Sequence, residues 1–188
     1  PNTVYFYSLV GNYTGNQFAN LNIGIQRRVA VDTMTFLRGL TADLQLSNGT
    51  TLFATENIVA LLEMTGFADL LTNQQLPLTV FAPTDAAVLD VGIDLYQCAI
   101  GNPAALRDLI LNHIVVGSFN PAQLTRSNRL PAVGGGQHTF TAFGADFLID
   151  NAVRVSDDRH YPTVNGNVYI IDEVLVPEGF ENRYCTSG

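Results

Sequence analysis

The sequence predicts an α+β fold, and two observations carry this expectation. In the segments that begin at Thr55 and at Asn102, apolar side chains have the spacing of a helix that buries one face. From Ile114 onward, short runs of β-branched and aromatic residues replace that spacing, and glycine-rich and Asn-Gly segments separate them. Helices that precede a series of strands are typical of the α+β class.

The composition is that of a globular domain with few charges. The chain has 188 residues and a net charge of −8, with 47% hydrophobic and 14% charged residues, so a substantial core is expected. All nine basic residues are arginines, and the chain contains no lysine. Scattered arginines on an acidic chain form no phosphate-binding patch, so we expect no nucleic-acid partner. No apolar run approaches the roughly 18 residues that a membrane-spanning helix needs.

The first 50 residues differ from the rest in being rich in Asn and Thr. Alternating aromatic residues at positions 4–7 predict a strand, and residues 27–31 predict a second one. Residues 33–46 have a helix-compatible apolar spacing, and a turn at positions 47–49 follows. We therefore assign residues 1–50 to an N-terminal extension, partly a helical lead-in, that packs on the domain or on a partner.

Helix-capping residues mark the elements that come next. Thr55 is placed to cap a helix that ends before Gly66, a residue suited to the left-handed position after a helix. After an apolar strand at residues 77–82, Thr84 is placed to cap a short helix, with Asp85 at its positive end. Asn102 caps a further helix, because the proline that follows it fits the first helical position.

Runs with β propensity occupy the rest of the chain. They lie at residues 114–116, 139–140, 147–149, 153–155 and 168–176. A glycine run at positions 134–136 and the dipeptide Asn165-Gly166 separate them. Because Asn and Gly both tolerate a positive φ, Asn165-Gly166 predicts a β-hairpin.

Two cysteines and two sequons bear on the cellular compartment. Cys98 and Cys185 are too far apart in sequence for a compact zinc motif, so they either form one disulfide that closes a long loop or remain two thiols. Asn12 and Asn48 each begin an Asn-X-Thr glycosylation sequon. Together these features favour a secreted or lumenal glycoprotein.

No catalytic signature is present: the chain has no G-x-S-x-G elbow, P-loop, H-E-x-x-H or C-x-x-C. His113 lies in an apolar helix-to-strand junction, where a neutral imidazole donates to one polar group and accepts from another, so a core role is favoured over catalysis. Residues 157–160 contain oxygen and imidazole ligands, but their spacing is typical of a solvated turn. We expect no enzyme activity, no metal and no cofactor.

Three segments resemble the conserved parts of the fasciclin (FAS1) domain family. The first box resembles residues 78–88, with the sequence LTVFAPTDAAV. The central Tyr-His segment resembles residues 109–117, LILNHIVVG, and the second box resembles residues 164–177, VNGNVYIIDEVLVP. The three segments occur in the family's order and at about its spacing, over residues 52–177.

The resemblance implies a fold and a class of function. The implied fold is a wedge-shaped β-sandwich flanked by several α-helices over residues 51–180, with residues 181–188 as a C-terminal tail. The central histidine, here His113, is implied to tie its helix to the first box near Thr84 or Asp85. Members of the family are extracellular and mostly serve cell adhesion and matrix association by binding protein partners.

In animal members, the Tyr-His segment and the aspartate-containing second box are implicated in integrin recognition. The positions that match these motifs are Asn112, His113, Asp172 and Glu173, which are the partner-binding candidates, the last two expected within the last strand. This chain has Asn112 where the family usually has tyrosine, and it contains no Arg-Gly-Asp triplet. Both departures count against integrin recognition as such.

The leading hypothesis is therefore an extracytoplasmic adhesion or matrix-association module, extracellular or secreted. Two alternatives stay open. The chain could be an accessory or docking subunit of a larger extracellular or organelle-lumen assembly, because an aromatic N-terminal strand can add to a partner's sheet edge. It could also carry an apolar small molecule such as a carotenoid, as some fasciclin-like proteins do.

Overall fold

Two four-stranded sheets, a short hairpin and eight helices make up the part of the chain that the computed structural model describes, residues 31–40, 44–45 and 51–185. The helices are α1 (Thr33–Arg38), α2 (Glu56–Met64), α3 (Ala68–Thr72), α4 (Asp85–Asp90), α5 (Ile93–Gly101), α6 (Pro103–Leu111), α7 (Pro121–Ser127) and α8 (Phe180–Tyr184). The strands are β1 (Leu44–Gln45), β2 (Thr51–Leu52), β3 (Leu78–Pro83), β4 (Ile114–Val116), β5 (Arg129–Pro131), β6 (Gln137–Phe143), β7 (Asp146–Ile149), β8 (Val153–Val155), β9 (His160–Thr163) and β10 (Gly166–Ile171). The predicted mixture of helices and strands is confirmed.

The first large sheet has the strand order β4-β3-β10-β9, and the second has the order β5-β6-β7-β8. In the first sheet β10 runs parallel to β3, whereas β4 and β9 are antiparallel to their neighbours. The second sheet is antiparallel throughout. Every residue of β3 and β10 is buried, so these two strands form the centre of the molecule.

Successive residues of the two central strands face two different cores, because side chains alternate across a strand. Val80 and Val168 lie on the side covered by α1, α2 and α6, with Met34 and Leu62 among their neighbours. The aromatic residues of the central strands lie on the opposite side, against the second sheet, in a cluster that contains Phe81, Phe140, Phe147, Ile171 and Tyr169. The first sheet is thus the middle layer between the helices and the second sheet.

The helix predicted over residues 33–46 is shorter than expected. It ends at Arg38, followed by Gly39 at the C-cap, and Leu44 belongs to a strand. Asp32 caps the start of α1 by accepting from the Thr35 amide. Met34 and Leu37 are fully buried in the main core. The strand predicted at residues 4–7, most of that at 27–31 and the turn at 47–49 lie outside the described residues.

Helix α2 is capped by a side chain from another helix. Thr55 stands at the predicted N-cap position, but its hydroxyl donates to the Leu37 carbonyl at 3.1 Å, so the predicted cap is wrong. Instead, Oδ1 of Asp85 accepts from the Asn57 amide at 2.7 Å. At the other end Gly66 has φ +75°, which confirms its predicted position after the helix.

The C-terminal part contains helices as well as the predicted strands. Helix α7 begins with a capping box, in which Asn120 and Gln123 bond each other's backbone amides, and Pro121 occupies the first turn. Asparagine followed by proline is also the signal that predicted α6, where the Asn102 side chain accepts from the Ala104 amide as expected. The expectation of strands alone after Ile114 is therefore wrong.

The hairpin predicted at Asn165-Gly166 is present, but for a different reason. Gly166 pairs with Thr163 across the β9–β10 hairpin, and neither Asn165 nor Gly166 has a positive φ. A Cβ atom on Gly166 would lie 1.8 Å from the Leu78 carbonyl oxygen, so close strand packing requires the glycine. The Asn165 amide is buried and bonds Thr33 and the Leu71 carbonyl.

Of the two alternatives for Cys98 and Cys185, the structure has the disulfide. It joins α5 to the residue after α8, and a loop of this length stabilises a fold by roughly 4 kcal/mol in the chain-entropy model. The Tyr184 hydroxyl also bonds the Asp108 carboxylate on α6. Residues 181–184, assigned from the sequence to a tail, thus lie in helix α8, which is fixed to α5 and α6.

We expect Gly166→Ala to lower the free energy of unfolding by about 3 kcal/mol, because the added methyl group would displace β10 from β3. Gly101→Ala is the matched control, since a Cβ there meets no atom within 4 Å. Urea denaturation of the three proteins measures the effect. Equal stability of the two variants would show that the close approach at Gly166 is not a constraint.

Candidate functional site

His113 follows α6 and is buried, with 2% of its surface exposed. The Leu175 amide donates to Nε2 at 2.9 Å, so Nε2 carries no proton and Nδ1–H donates to the Leu109 carbonyl at 2.8 Å. The hypothesis of a neutral imidazole that donates once and accepts once is confirmed. Burial is the main cause that lowers the pKa of His113 from 6.5 to about 4, since the charged form loses its hydration.

The ring of His113 does not bond the first box as the resemblance implied. Both nitrogen atoms are occupied by Leu109 and Leu175, and only the main-chain carbonyl of His113 contacts that box, by accepting from Phe81 at 2.9 Å. Thr84 is instead the N-cap of α4, as its position predicted, and accepts from Ala87. His113 thus bonds the first box through its main chain at Phe81, and its ring bonds Leu109 and Leu175 in place of Thr84 or Asp85.

Asn112 also bonds Leu175. Its Nδ2 donates to the Leu175 carbonyl at 2.8 Å, while His113 accepts from the Leu175 amide. We call this pair of contacts the Leu175 clamp. The glycine run beside it is fitted to the asparagine, because a Cβ on Gly136 would lie 2.6 Å from Asn112 Oδ1. Asn112 thus supplies a contact in a place where the family usually has tyrosine.

A second buried histidine, His138, extends the clamp toward the second sheet. Its Nε2 lies 2.7 Å from the Asn112 carbonyl oxygen, and its Nδ1 lies 2.6 Å from Asp150 Oδ2. The ring of His138 therefore bridges the end of α6 and the turn that follows β7. Sequence reasoning missed this residue, because nothing local to His138 indicates contacts with the end of α6.

Asp172 and Glu173 are exposed and lie beyond the last strand. The prediction that they belong to this strand is wrong, because β10 ends at Ile171, where its partner strand β3 ends at Pro83. Asp172 forms an ion pair with Arg159 at 2.5 Å. The Arg159 guanidinium also lies over the Phe53 ring, 4.2 Å from its centroid, which orients the arginine.

All four partner-binding candidates belong to residues 172–176 or bond to them, but they have two different roles. Asn112 and His113 are buried and hold Leu175 from inside. Asp172 and Glu173 are the exposed members, and they alone among the four can touch a partner. The segment is a fixed surface loop with carboxylates at its start.

The remaining expectations concern glycosylation, metal binding and membrane insertion. The sequons at Asn12 and Asn48 fall outside the described residues. Within the described ranges, no group of three or more His, Cys, Asp or Glu side chains is arranged to hold a metal ion. No helix in the part of the chain that the structure describes is long and apolar enough to cross a bilayer.

Comparison with known proteins identifies the family. Residues 53–177 match the family model of the fasciclin domain. The chain belongs to the fasciclin domain family. The first box of this domain forms β3 and the start of α4, the central segment forms the end of α6 and β4, and the second box forms β10 with residues 172–176.

Relatives of this fasciclin domain occur in animals and bacteria. The chain is 26% identical over 106 residues to transforming growth factor-beta-induced protein ig-h3 of Sus scrofa, which is 56% of this chain and 15% of that protein. It is 31% identical over 99 residues to immunogenic protein MPB70 of Mycobacterium bovis, which is 53% of this chain and 49% of that protein. The chain thus spans half or less of these relatives.

A solved structure supports the fold. A FAS1 domain pair from the insect cell adhesion molecule Fasciclin I superposes with a TM-score of 0.56 at 15% sequence identity. The match covers 80% of this chain and 52% of that one. At this identity the similarity establishes a FAS1 fold for the chain.

His113 makes stability depend on pH, and His113→Phe tests this. The unfolded chain binds a proton at His113 below pH 6.5, whereas the folded chain does so only below about 4, so acidification favours unfolding in that window. We expect wild type to lose on the order of 3 kcal/mol from this residue between pH 6.5 and 4.

The phenylalanine variant should be less stable than wild type by about 1–3 kcal/mol at pH 7.5, because the Leu175 amide loses its acceptor. The difference should shrink as pH falls to 4. Denaturant midpoints measured at several pH values give both quantities. Parallel pH profiles for the two proteins would contradict a buried neutral His113.

Proposed function

We propose that this chain is an extracytoplasmic fasciclin module that serves cell adhesion or matrix association, and that residues 172–176 contact its protein partner. The observation that carries the proposal is the Leu175 clamp. Two buried side chains fix both backbone polar groups of Leu175, while Asp172 and Glu173 remain exposed three and two positions earlier. A loop fixed before binding loses little conformational entropy when a partner engages it.

Family membership and chemistry support the adhesive role. Fasciclin I, which shares the fold, is an insect cell adhesion molecule. The disulfide between Cys98 and Cys185 fits an oxidising compartment outside the cytosol, where such bonds persist. A protein-binding role also fits the described residues better than catalysis does, because His113 has both ring nitrogens occupied by backbone groups.

The ion pair with Arg159 defines how Asp172 can be used. The pair holds one carboxylate oxygen at 2.5 Å, and 58% of the Asp172 side chain remains exposed. A partner can therefore reach the second oxygen while Arg159 keeps the carboxylate oriented. Glu173 has no such restraint in the described contacts and supplies the adjacent negative charge.

The two alternatives receive less support. The docking role of the aromatic N-terminal strand stays a prediction, because residues 1–30 lie outside the described part. For carriage of an apolar molecule, a groove between α1 and α2 has a volume of about 210 Å³ and is lined by both apolar and charged residues, among them Leu37, Val59 and Glu63. Ligand pockets usually measure about 300–1,000 Å³, so the volume of this groove does not favour a carotenoid.

Removal of the two loop carboxylates tests the adhesive role. We expect surfaces coated with the wild-type protein to retain cells of the source organism, or its isolated extracellular matrix, above an albumin coating. Asp172→Asn with Glu173→Gln should lower retention at least about fivefold, because charged contacts at an interface are lost. Counting the retained cells, or the bound labelled matrix, gives the result.

The matched control is Glu63→Gln with Asp69→Asn. It removes the same charge from exposed positions on α2 and α3, and Glu63, like Asp172, is paired with an arginine, Arg38. The control should retain wild-type adhesion. No retention by the wild-type protein, or equal loss in the two double variants, would refute the assignment to residues 172–176.

A further inference from the structure

One continuous stretch of the chain carries charge of a single sign. Residues 53–106 contain six acidic side chains and no arginine, lysine or histidine. Two of these acids have structural partners, since Glu63 pairs with Arg38 and Asp85 caps α2. Among the others, Asp90 and Asp94 are exposed, at the end of α4 and the start of α5.

Two large apolar side chains stand beside these acids. Leu89 is 76% exposed and Ile93 is 64% exposed, and each directly precedes one of the aspartates. Gly92, with φ +93°, turns the chain between the two helices. We call residues 89–94 the α4–α5 corner. Apolar side chains exposed to this degree, rimmed by charge, are typical of interaction sites.

The corner adjoins the loop at residues 172–176. Val174, from that loop, packs in the same cluster as Leu95, the second residue after Ile93. At the start of α4, the Thr84 amide donates to the Ile171 carbonyl at 2.9 Å. Asp172 and Glu173 follow Ile171 directly in sequence, and both are exposed.

This charge pattern selects one class of occupant. A second copy of the chain, with net charge −8, would bring like charges together at the corner. Anionic lipid surfaces and nucleic acids are repelled for the same reason. A protein segment that carries both apolar and basic side chains fits this surface, because the apolar ones can contact Leu89 and Ile93 while Arg or Lys can pair with the aspartates.

We propose that the α4–α5 corner docks a basic amphipathic segment of a partner protein. Leu89 and Ile93 contact the apolar face of that segment, and Asp90 and Asp94 pair with its cations at the rim. The inference rests on the proposed function insofar as both require a protein partner, and it names the chemistry of that partner. Its test uses no adhesion assay, so the two proposals fail separately.

The probe is a synthetic amphipathic peptide with leucine on one face and arginine on the other, long enough to form a helix, about 15 residues. Nuclear magnetic resonance titration of the ¹⁵N-labelled protein should give saturable shifts centred on residues 89–94. The affinity should fall about tenfold in Leu89→Ser with Ile93→Ser and also in Asp90→Asn with Asp94→Asn. A peptide with glutamine in place of arginine should not bind.

Two control variants are matched in chemistry. Phe143→Ser removes a large apolar side chain that is 53% exposed on the second sheet, and Asp157→Asn with Asp158→Asn removes two exposed charges. Both should bind the arginine peptide like wild type. The proposal is overturned by the absence of saturable binding, by shifts centred on another surface, or by binding that the serine substitutions leave unchanged, since that would be charge attraction alone.

Discussion

The buried imidazole of His113 is the contact on which the arrangement of this fasciclin domain depends. Its ring joins the end of α6, through the Leu109 carbonyl, to the chain beyond the last strand, through the Leu175 amide. Its main-chain carbonyl accepts from Phe81 in the central strand β3. A backbone amide left without a partner inside a protein costs about 1–3 kcal/mol, so the neutral ring holds the loop at Leu175 against the end of α6. The main chain of His113 adds the link to β3.

From this point a line of polar groups crosses the molecule. Asn112 bonds Leu175 with its side chain and His138 with its carbonyl, and His138 in turn bonds Asp150 in the turn between β7 and β8. The exposed loop at residues 172–176 is therefore connected to the second sheet by a chain of buried and partly buried hydrogen bonds. The buried residues thus set the shape of this loop, and its exposed carboxylates are the groups that we propose meet a partner.

The sequence was informative wherever the physical cause is local. The caps at Thr84 and Asn102 and the glycine after α2 follow from short-range geometry, and the three family segments indicated the fold. Contacts between distant residues were not predictable in this way. Asp85 caps a helix 28 positions away, and the Asn-Gly hairpin needs its glycine because another strand passes close by. The same holds for the candidate site. Its four residues were found from the family resemblance, but which of them are buried and which are exposed depends on where β10 ends, and this is set by contacts with β3.

Native-state hydrogen exchange of the Leu175 amide tests the central role of His113 most directly. Although Leu175 lies in a loop outside any strand, its amide should exchange as slowly as that of Ile170 in β10, through global unfolding. In His113→Phe the Leu175 amide should exchange as fast as the amide of the exposed Glu173. The Ile170 amide should still exchange only through global unfolding, at the rate that the variant's free energy of unfolding sets. Fast exchange of Leu175 in the wild-type protein, or unchanged protection in the variant, would contradict the clamp.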